Sequence, residues 1–250
     1  MSLIEFDHVT KTFPHAAGRV LLRTHLLRWF SSEKHTLFYA LKNISFTMER
    51  GECLGIVGRN GAGKSTLLGM VAGLAKPNGG RVRVNGRVGA LLELGSGFHP
   101  DLSGAENLVL NASLLGIGKK RIAELFDQIV EFSGVADFIN EPLRTFSSGM
   151  SLRLAFSVAI HTEPDLLLID EILGVGDSAF QAKCADALES YRRRGGSLLF
   201  VSHSGATVRK MCDRAIWLDH GELMMEGNPD AVLKEYEGTS EAVAAAAQPT

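Results

Sequence analysis

A glycine-rich segment early in the chain has the residue types and the spacing that bind phosphate groups. It fits the pattern G-x-x-x-x-G-K-[ST] from Gly58 to Ser65, and we call the residues from 58 to 66 the P-loop: Gly58, Arg59, Asn60, Gly61, Ala62, Gly63, Lys64, Ser65 and Thr66. Glycines let backbone N–H groups curl around a phosphate. In this pattern the lysine, here Lys64, reaches the β- and γ-phosphates, and the hydroxyl of Ser65 binds Mg²⁺.

The segments on either side of the P-loop supply the elements that such a site needs. Cys53 to Val57 is a short apolar run that predicts a buried strand, and an apolar helix is expected to begin near Lys64. A helix that starts at the loop adds the positive end of its dipole to the phosphate site. A plain glycine-rich turn is the alternative, and the order strand, loop, helix argues against it.

A second candidate is a pair of carboxylates at the end of an apolar run. Leu166 to Ile169 predicts a strand, and Asp170 and Glu171 follow it directly. At the carboxyl end of a parallel strand, such acids lie at the crevice where ligands bind. Asp170 would hold Mg²⁺ directly or through water, and Glu171 would orient or deprotonate an attacking water. Strand-end carboxylates are also common for structural reasons, so this prediction depends on the P-loop.

A third candidate is a short polar turn before a long apolar helix. Ser147 is a suitable N-cap, and Gly149, between Ser148 and Met150, permits close approach of another backbone. This would be a second helix N-terminus suited to phosphate, and an ordinary capped helix is the alternative. The helix that follows is apolar on nearly all sides and is expected to be buried.

The rest of the chain predicts the scaffold that positions these residues. Strands are expected at 3–9, 44–48, 198–201 and 215–218, helices at 103–115 and 119–133, and a hairpin around Asn85 and Gly86 within 81–92. Ser103 and Glu106 form a capping-box pattern, and Gly134 is expected to end the second of these helices. The alternation of strands and helices in the second half predicts a parallel sheet.

Composition excludes several classes of protein. Hydrophobic residues make up 45% and charged residues 22% of the 250 positions, which is typical of a globular chain and not of a disordered or collagen-like one. With 26 Lys and Arg against 28 Asp and Glu, the net charge of −2 predicts no general attraction to nucleic acid. The 3 cysteines show no CxxC spacing, which is typical of a reducing compartment. The N-terminus lacks a signal-peptide pattern, and no apolar run approaches the ~20 residues of a membrane span.

The order of these motifs resembles that in the nucleotide-binding subunit of ABC transporters. The motifs are the P-loop, the Ser147 turn, the strand that ends in Asp170 and Glu171, and His203 after the strand at 198–201. The resemblance covers about residues 3–238. It implies an α/β fold of the P-loop NTPase (ABC ATPase) type, with a mixed sheet core, an antiparallel β subdomain and a helical signature subdomain at about 100–160. It also implies ATP and Mg²⁺ as ligands and an ATPase domain at 1–238. From Thr239 onwards the composition is mostly Ala, Glu, Gln, Pro and Thr, which predicts a flexible, frayed tail at 239–250.

The resemblance assigns roles to individual residues. Residues 147–150, the signature loop, would contact ATP held by the P-loop of the partner subunit, so that a homodimer sandwiches two ATP molecules. His203 would contact the γ-phosphate, and Asp177 matches the aspartate of the loop that follows Glu171. Phe13 would stack on adenine, and a position in the protein core is the alternative for it.

Departures from the common family pattern indicate one branch of the family. Glu93 stands where most members have Gln, and it could bind Mg²⁺ or sense the transmembrane partner. Together with residues 94–100 and an insertion at 15–38, it makes the chain resemble exporters of lipid-linked polysaccharides of the O-antigen, capsule or teichoic acid type. This branch implies a separate transmembrane permease, a lipid-linked glycan as substrate, and a peripheral position on the cytoplasmic face of the inner membrane.

The insertion and the overall function each have an alternative. The insertion is basic and amphipathic, with Trp29 and Phe30, which would place it at the membrane interface. The resemblance to the polysaccharide exporters implies a position near the substrate entry. The alternative is that its apolar residues cap the core. The alternative functions are an ATPase of another transporter class and a soluble ABC-type regulator. The lack of a basic face argues against a nucleic-acid partner. The 12 residues that follow position 238 are too few for the C-terminal carbohydrate-binding domain of some exporters of this branch, so recognition of the glycan end is not expected within the given sequence.

Overall fold

The computed structural model describes residues 2–14, 37–91, 97–170, 177–202 and 204–246, with side chains through residue 239. The strands are β1 (Ile4–Pro14), β2 (Leu37–Met48), β3 (Cys53–Val57), β4 (Gly79–Val84), β5 (Val88–Ala90), β6 (Leu166–Asp170), β7 (Ser197–Val201), β8 (Arg214–Asp219) and β9 (Glu222–Gly227). The helices are α1 (Lys64–Val71), α2 (Gly104–Leu114), α3 (Lys119–Ser133), α4 (Ser148–His161), α5 (Ser178–Arg193), α6 (Gly205–Met211) and α7 (Pro229–Ala246).

The larger sheet is mixed, in the order β5-β6-β7-β3-β8-β9. Its strands are parallel from β5 to β8, and β9 is antiparallel to β8. β3 and β7 are buried along their whole length, as expected of parallel strands that are covered on both faces. Val201 on β7 pairs with both Asp170 on β6 and Ile56 on β3, so the carboxyl ends of these strands meet at one edge. The predicted mixed sheet core is confirmed.

The smaller sheet is antiparallel, in the order β2-β1-β4, and it packs on the larger one. Phe6 and Phe46 stack in it with ring centroids 4.7 Å apart, and they belong to the same apolar cluster as Ile56 of β3 and Leu67 of α1. This confirms the antiparallel subdomain. β2 begins at Leu37, so residues 37 and 38, which the sequence pattern assigned to the insertion, belong to this sheet.

The structure corrects the predicted hairpin at Asn85 and Gly86. β4 pairs with β1 in the smaller sheet and β5 pairs with β6 in the larger one, so the chain crosses here between two sheets. Asp165 holds this crossing, because its carboxylate accepts hydrogen bonds from the Arg87 backbone N–H and from the Arg50 guanidinium, each 2.8 Å long. A Cβ on Gly86 would lie 2.7 Å from the Cβ of Asp165, so only glycine permits this approach.

The helices α2, α3 and α4 form a separate layer with its own apolar cluster, which includes Leu108, Ile129, Leu154 and Val158. The predicted capping box of α2 is present, since Ser103 and Glu106 each accept a hydrogen bond from the backbone N–H of the other. α3 ends at a left-handed glycine, as predicted. α4 is buried only in its second half, from residue 154 to 160, and its first turn is half-exposed or exposed.

α7 continues to Ala246, so residues 239–246 are helical, whereas their composition predicted a frayed tail. The last turns of this helix are rich in alanine, which has the highest helix propensity of all residues. Among the described helices, none is both long enough and apolar enough to cross a membrane.

Candidate functional site

The P-loop connects the end of β3 to the start of α1, and two of its glycines are required by close contacts. Gly63 has a left-handed backbone (φ +105°), and a Cβ there would lie 2.5 Å from the carbonyl oxygen of Ala40 on β2. At Gly58, a Cβ would lie 2.3 Å from the carbonyl oxygen of Leu218 on β8. The loop is therefore held between two strands that come from different sheets.

Hydrogen bonds hold the backbone of the P-loop and the side chain of Lys64 in place. The backbone N–H of Ala62 donates to the carbonyl of Arg59 (3.1 Å), and the N–H of Gly221 donates to the carbonyl of Ala62 (3.1 Å). Lys64 is buried, and its ammonium donates to the carbonyls of Gly58 (2.7 Å) and Arg59 (3.0 Å). α1 has no side-chain N-cap, so its positive end is presented by backbone N–H groups.

A cavity of about 340 Å³ opens beside the P-loop. Its lining combines P-loop residues with residues of β2 and β6, namely Phe38, Ala40, Asn60, Gly61, Gly63, Lys64, Ser65, Thr66 and Asp170. The structure thus brings together Lys64, Ser65 and Asp170, as the sequence predicted. One cation, a helix N-terminus and two hard oxygen donors are the groups that bind a Mg²⁺-bound polyphosphate.

A larger cavity, of about 510 Å³, lies between α5 and α6. Its polar lining consists of surface residues of both charges, including Asp186, Glu189, Arg192 and Lys210. It contains no P-loop residue, so the chemistry of the lining, and not the size of the cavity, identifies the candidate site.

The signature loop does not line the P-loop cavity of its own chain. The Ser147 hydroxyl caps α4 by accepting a hydrogen bond from the backbone N–H of Met150 (3.2 Å), which confirms the predicted N-cap. Ser148 is exposed, and Gly149 and Met150 are half-exposed. The N-terminus of α4 is therefore open to contact from outside the chain.

Residues 41–174 match the family described as ABC transporter. An O-antigen export system ATP-binding protein of Klebsiella pneumoniae is 47% identical over 238 residues, which cover 94% of this chain and 97% of that protein. This chain belongs to the ABC transporter family. The membership confirms the resemblance that the order of the motifs predicted.

Other relatives of this ABC transporter chain include the ABC transporter protein AbcA of Aeromonas salmonicida, 48% identical over 228 residues (91% of this chain, 73% of that protein). The teichoic acids export ATP-binding protein of Lactococcus lactis is 42% identical over 207 residues, 83% of this chain and 44% of that protein. A solved ATP binding subunit of an ABC transporter has the same fold, with a TM-score of 0.75, 21% identity and 94% coverage of both chains. The predicted ABC ATPase fold is confirmed.

Asp177 of this ABC transporter chain is held by two contacts that do not involve the P-loop. Its carboxylate accepts a hydrogen bond from the backbone N–H of Phe180 (2.9 Å), which caps α5, and another from the Arg153 guanidinium of α4 (2.8 Å). The Phe180 N–H and the charge of Arg153 hold the pKa of this carboxyl below its usual value. The Arg153 guanidinium also lies 5.1 Å from the centroid of the Phe180 ring.

Sequence reasoning missed Arg153, although the sequence contained a signal for it. It is the single lysine or arginine in an otherwise apolar and small-residue helix that begins at the signature loop. A cation in such a helix needs a partner of opposite charge. The partner, Asp177, comes from another element that only the fold brings near.

Phe13 is exposed at 42% near the end of β1, so the alternative of a core position is wrong. The Lys11 ammonium lies 5.1 Å from the centroid of its ring. The aromatic residue that lines the cavity is Phe38, which sequence reasoning also missed.

Three of the predicted residues, Glu93, Glu171 and His203, lie outside the described residues, as does most of the insertion, at 15–36. For Glu171 and His203, residues just before them in the chain are described. Asp170 lines the cavity, and Val201 pairs with Asp170 at the same edge of the sheet.

Proposed function

We propose that this chain is the ATPase subunit of an ABC exporter that moves a lipid-linked polysaccharide of the O-antigen or teichoic acid type. The observation that carries the proposal is the 47% identity to an O-antigen export ATP-binding protein over 94% of this chain and 97% of that one. The geometry of the P-loop cavity supports the ATPase part of the proposal independently of any relative.

The triphosphate of ATP would lie along the P-loop, which is preformed. Backbone N–H groups at the start of α1 and the buried ammonium of Lys64 face the place where its negative charge would be. Mg²⁺ would be held by the Ser65 hydroxyl and the Asp170 carboxylate, and Glu93 remains a proposed further ligand. When bound, the ion neutralises charge that develops on the phosphates.

The reacting water would be oriented by Glu171, the residue directly after Asp170 at the sheet edge. His203 follows Ser202 after β7 and would contact the γ-phosphate. In phosphoryl transfer, the protein mainly supplies positioning and charge, so these two side chains, together with Lys64, would form the catalytic set. Phe13 would stack on the adenine.

The functional unit would be a homodimer. The signature loop of one subunit, residues 147–150, would contact ATP on the P-loop of the partner subunit, and Asp177 would lie near that interface. The exposed N-terminus of α4, which does not line the cavity of its own chain, supports this arrangement.

The partner in transport would be a separate transmembrane permease, and the dimer would act at the cytoplasmic face of the inner membrane. The basic and amphipathic insertion at 15–38 would contact the membrane interface or the substrate entry. Replacing Arg19, Arg23 and Arg28 with Ser is expected to reduce export while basal ATPase activity is retained. Unchanged glycan export by this variant would contradict the role of the insertion.

The decisive experiment uses Glu171→Gln expressed in the native host. Loss of a general base is expected to lower ATP hydrolysis by about 10²–10⁴-fold while ATP binding is retained. The ATP-bound variant is then extracted gently from membranes, and its partners are identified by mass spectrometry. A polytopic membrane subunit with a lipid-linked glycan would support the exporter. Recovery of a dimer without any membrane partner would contradict transport, and co-purification of another solute would indicate a different transporter class.

A further inference from the structure

The helix α6 begins two residues after His203, and α7 packs against its first turn. α7 carries Asp230, Leu233 and Glu237 at spacings of three and four residues, which places them on one face of the helix. Leu233 is buried, and both carboxylates contact the Arg209 guanidinium of α6. The face that these three residues form is therefore the one that meets α6.

Arg209 joins the two helices through two carboxylates of unequal exposure. Its guanidinium donates to the Glu237 carboxylate (2.8 Å), and its Nε lies 3.3 Å from the Asp230 carboxylate. The side chain of Glu237 is 44% exposed, and that of Asp230 is 79% exposed. Ion pairs that are open to water contribute little to the free energy of unfolding. We therefore expect this contact to fix the relative orientation of the two helices more than the stability of the fold.

Glu237 also lies close to the first residue of α6. A Cβ on Gly205 would lie 2.5 Å from Oε1 of Glu237 and 3.4 Å from the Leu233 side chain. Glycine at position 205 thus permits an approach of the carboxylate that any larger residue would push away. Through this one side chain, α7 meets both the start of α6 and Arg209, about one helical turn later.

The other anchors of this segment leave the first turn of α6 to α7. Further along α6, Val208 is buried, and a Cβ on Gly55 of β3 would lie 2.9 Å from its side chain. Before the helix, the Ser204 backbone N–H donates to the hydroxyl of the buried Ser202 (3.0 Å). The chain is thus held just before His203 by Ser202 and just after it by the contacts with α7.

We propose that Glu237 and Arg209 are positioning residues for His203, so that α7 affects the rate of ATP hydrolysis without contacting the nucleotide. The inference rests on the proposed function, which assigns His203 to the γ-phosphate. Neither Glu237 nor Arg209 lines the P-loop cavity. Loss of the pair therefore changes turnover and leaves the affinity for ATP as it is, because the P-loop contacts remain.

The first test measures ATP hydrolysis by the full chain at saturating Mg²⁺ and ATP. Glu237→Gln keeps the size of the side chain and removes its charge. It is expected to lower kcat by about tenfold, because a small displacement of a catalytic group slows the reaction. The Kd of a non-hydrolysable ATP analogue, measured by titration calorimetry, is expected to stay the same. Arg209→Ala should act like Glu237→Gln, and Arg209→Lys should restore part of the rate because the charge is kept.

Two further variants control for the position and for the charge. Glu235→Gln is the matched control, because Glu235 is an exposed residue of the same helix, and it is expected to keep the wild-type rate. Gly205→Ala leaves both charges in place, but its Cβ would displace the Glu237 carboxylate, so it is expected to lower kcat as Glu237→Gln does. Thermal unfolding should be nearly the same for Glu237→Gln, Glu235→Gln and the wild type, since the ion pair is partly exposed.

A double-mutant cycle with His203→Ala distinguishes positioning from a general effect on the protein. If Glu237 acts through His203, Glu237→Gln should cause no further loss of rate in the His203→Ala background. Radiolabelled ATP allows the residual hydrolysis of these variants to be measured.

The outcomes separate this inference from the proposed function. If the wild-type chain hydrolyses ATP and Glu237→Gln is equally fast, only this inference fails. A further loss of rate in the His203→Ala background, or weaker binding of the ATP analogue, would also overturn it, because Glu237 would then act elsewhere. His203→Ala at the wild-type rate would overturn the role of His203 and this inference with it. A wild-type chain that neither binds nor hydrolyses ATP would overturn the proposed function as a whole.

Discussion

Gly63 links the conformation of the P-loop to the packing of the two sheets. Its backbone is left-handed, and a Cβ there would lie 2.5 Å from the carbonyl oxygen of Ala40 on β2. Gly63→Ala is therefore expected to cost about 1–3 kcal/mol in the free energy of unfolding, and to lower ATP affinity because Lys64 is the next residue. Urea unfolding and ATP titration measure the two effects.

Gly69→Ala is the control for this prediction. Gly69 lies inside α1, and a Cβ there would have no atom within 4 Å. Since alanine is a better helix former than glycine, this variant is expected to gain about 1 kcal/mol of stability and to keep its ATP affinity. Equal stability of the Gly63 and Gly69 variants would show that the contact with Ala40 does not constrain the loop.

The residues that the sequence predicted correctly are those whose structure is set by near neighbours. The capping box at Ser103 and the N-cap at Ser147 each depend on side chains and N–H groups within a few positions, and in the P-loop the Lys64 ammonium bonds to the nearby carbonyl of Gly58. Phe38 and Arg153 were missed because their neighbours come from distant parts of the chain. Phe38 lies beside the P-loop because the smaller sheet places β2 there. Arg153 contacts Asp177 because α4 lies beside the start of α5.

At the scale of elements, the crossing between β4 and β5 shows why a local pattern failed. Asn85 and Gly86 favour a tight turn, but β4 pairs with β1 in the smaller sheet and β5 pairs with β6 in the larger one. An isolated two-stranded hairpin is only marginally stable in water, whereas each strand here belongs to a sheet of three or more strands. Asp165 lies where the two sheets meet and bonds to both Arg87 and Arg50. Asn85 and Gly86 therefore lie in the connection between the two sheets and not in the turn of a hairpin.

Asp165 is expected to contribute to stability in a pH-dependent way. The hydrogen bond from the Arg87 N–H, with Arg50, holds the pKa of its carboxyl below the usual value. Because the folded pKa is depressed, the contribution is fully present above the unfolded pKa of about 3.9 and is lost as the pH falls through the folded value. Asp165→Ala is expected to cost about 1–2 kcal/mol at pH 7, since the side chain is partly exposed.

The control for this prediction is Asp165→Asn, whose amide oxygen can still accept the Arg87 bond. At pH 7 the free energy of unfolding of Asp165→Asn is expected to lie between those of the wild type and the alanine variant. Below about pH 4 the wild type should no longer be more stable than Asp165→Asn. Urea unfolding at several pH values measures the difference. An advantage of the wild type that is constant down to pH 3 would contradict the role of the charge.

The contact between α4 and α5 connects two predicted parts of the ATPase site. Arg153 on the signature helix bonds to Asp177, which caps α5 after the segment that contains Glu171. Arg153 does not line the cavity, so Arg153→Ala is expected to lower the ATPase rate severalfold and to leave the Kd of ATP unchanged. Arg153→Lys should restore part of the rate, because the positive charge is kept while the fork of N–H donors is lost.

A double-mutant cycle with Asp177→Ala distinguishes this coupling from general destabilisation. If Arg153 acts through Asp177, the second substitution should add little to the loss of rate caused by the first. Fully additive losses would indicate that each residue acts through a different contact.

At the scale of the whole molecule, one chain carries the two proposed halves of an ATP site in different places. Lys64 lies in the P-loop cavity between the sheets, whereas Ser148 lies at the exposed N-terminus of the helical layer, which has its own apolar cluster. A single site that used both residues would need two copies of the chain. In a symmetric dimer, each P-loop would then face the signature loop of the partner subunit.

Mixing two inactive variants tests this arrangement. Lys64→Ala removes the P-loop cation, and Ser148→Arg blocks the signature loop at an exposed position that the fold tolerates. In a dimer of one copy of each, one site receives both defects and the other receives an intact P-loop and an intact signature loop. An equal mixture is therefore expected to regain about a quarter of the wild-type ATPase rate, because half of the dimers are mixed and each has one intact site of two. If the signature loop acted within its own chain, the mixture would stay as inactive as either variant alone, and ATP titration of each variant checks that Ser148→Arg still binds nucleotide.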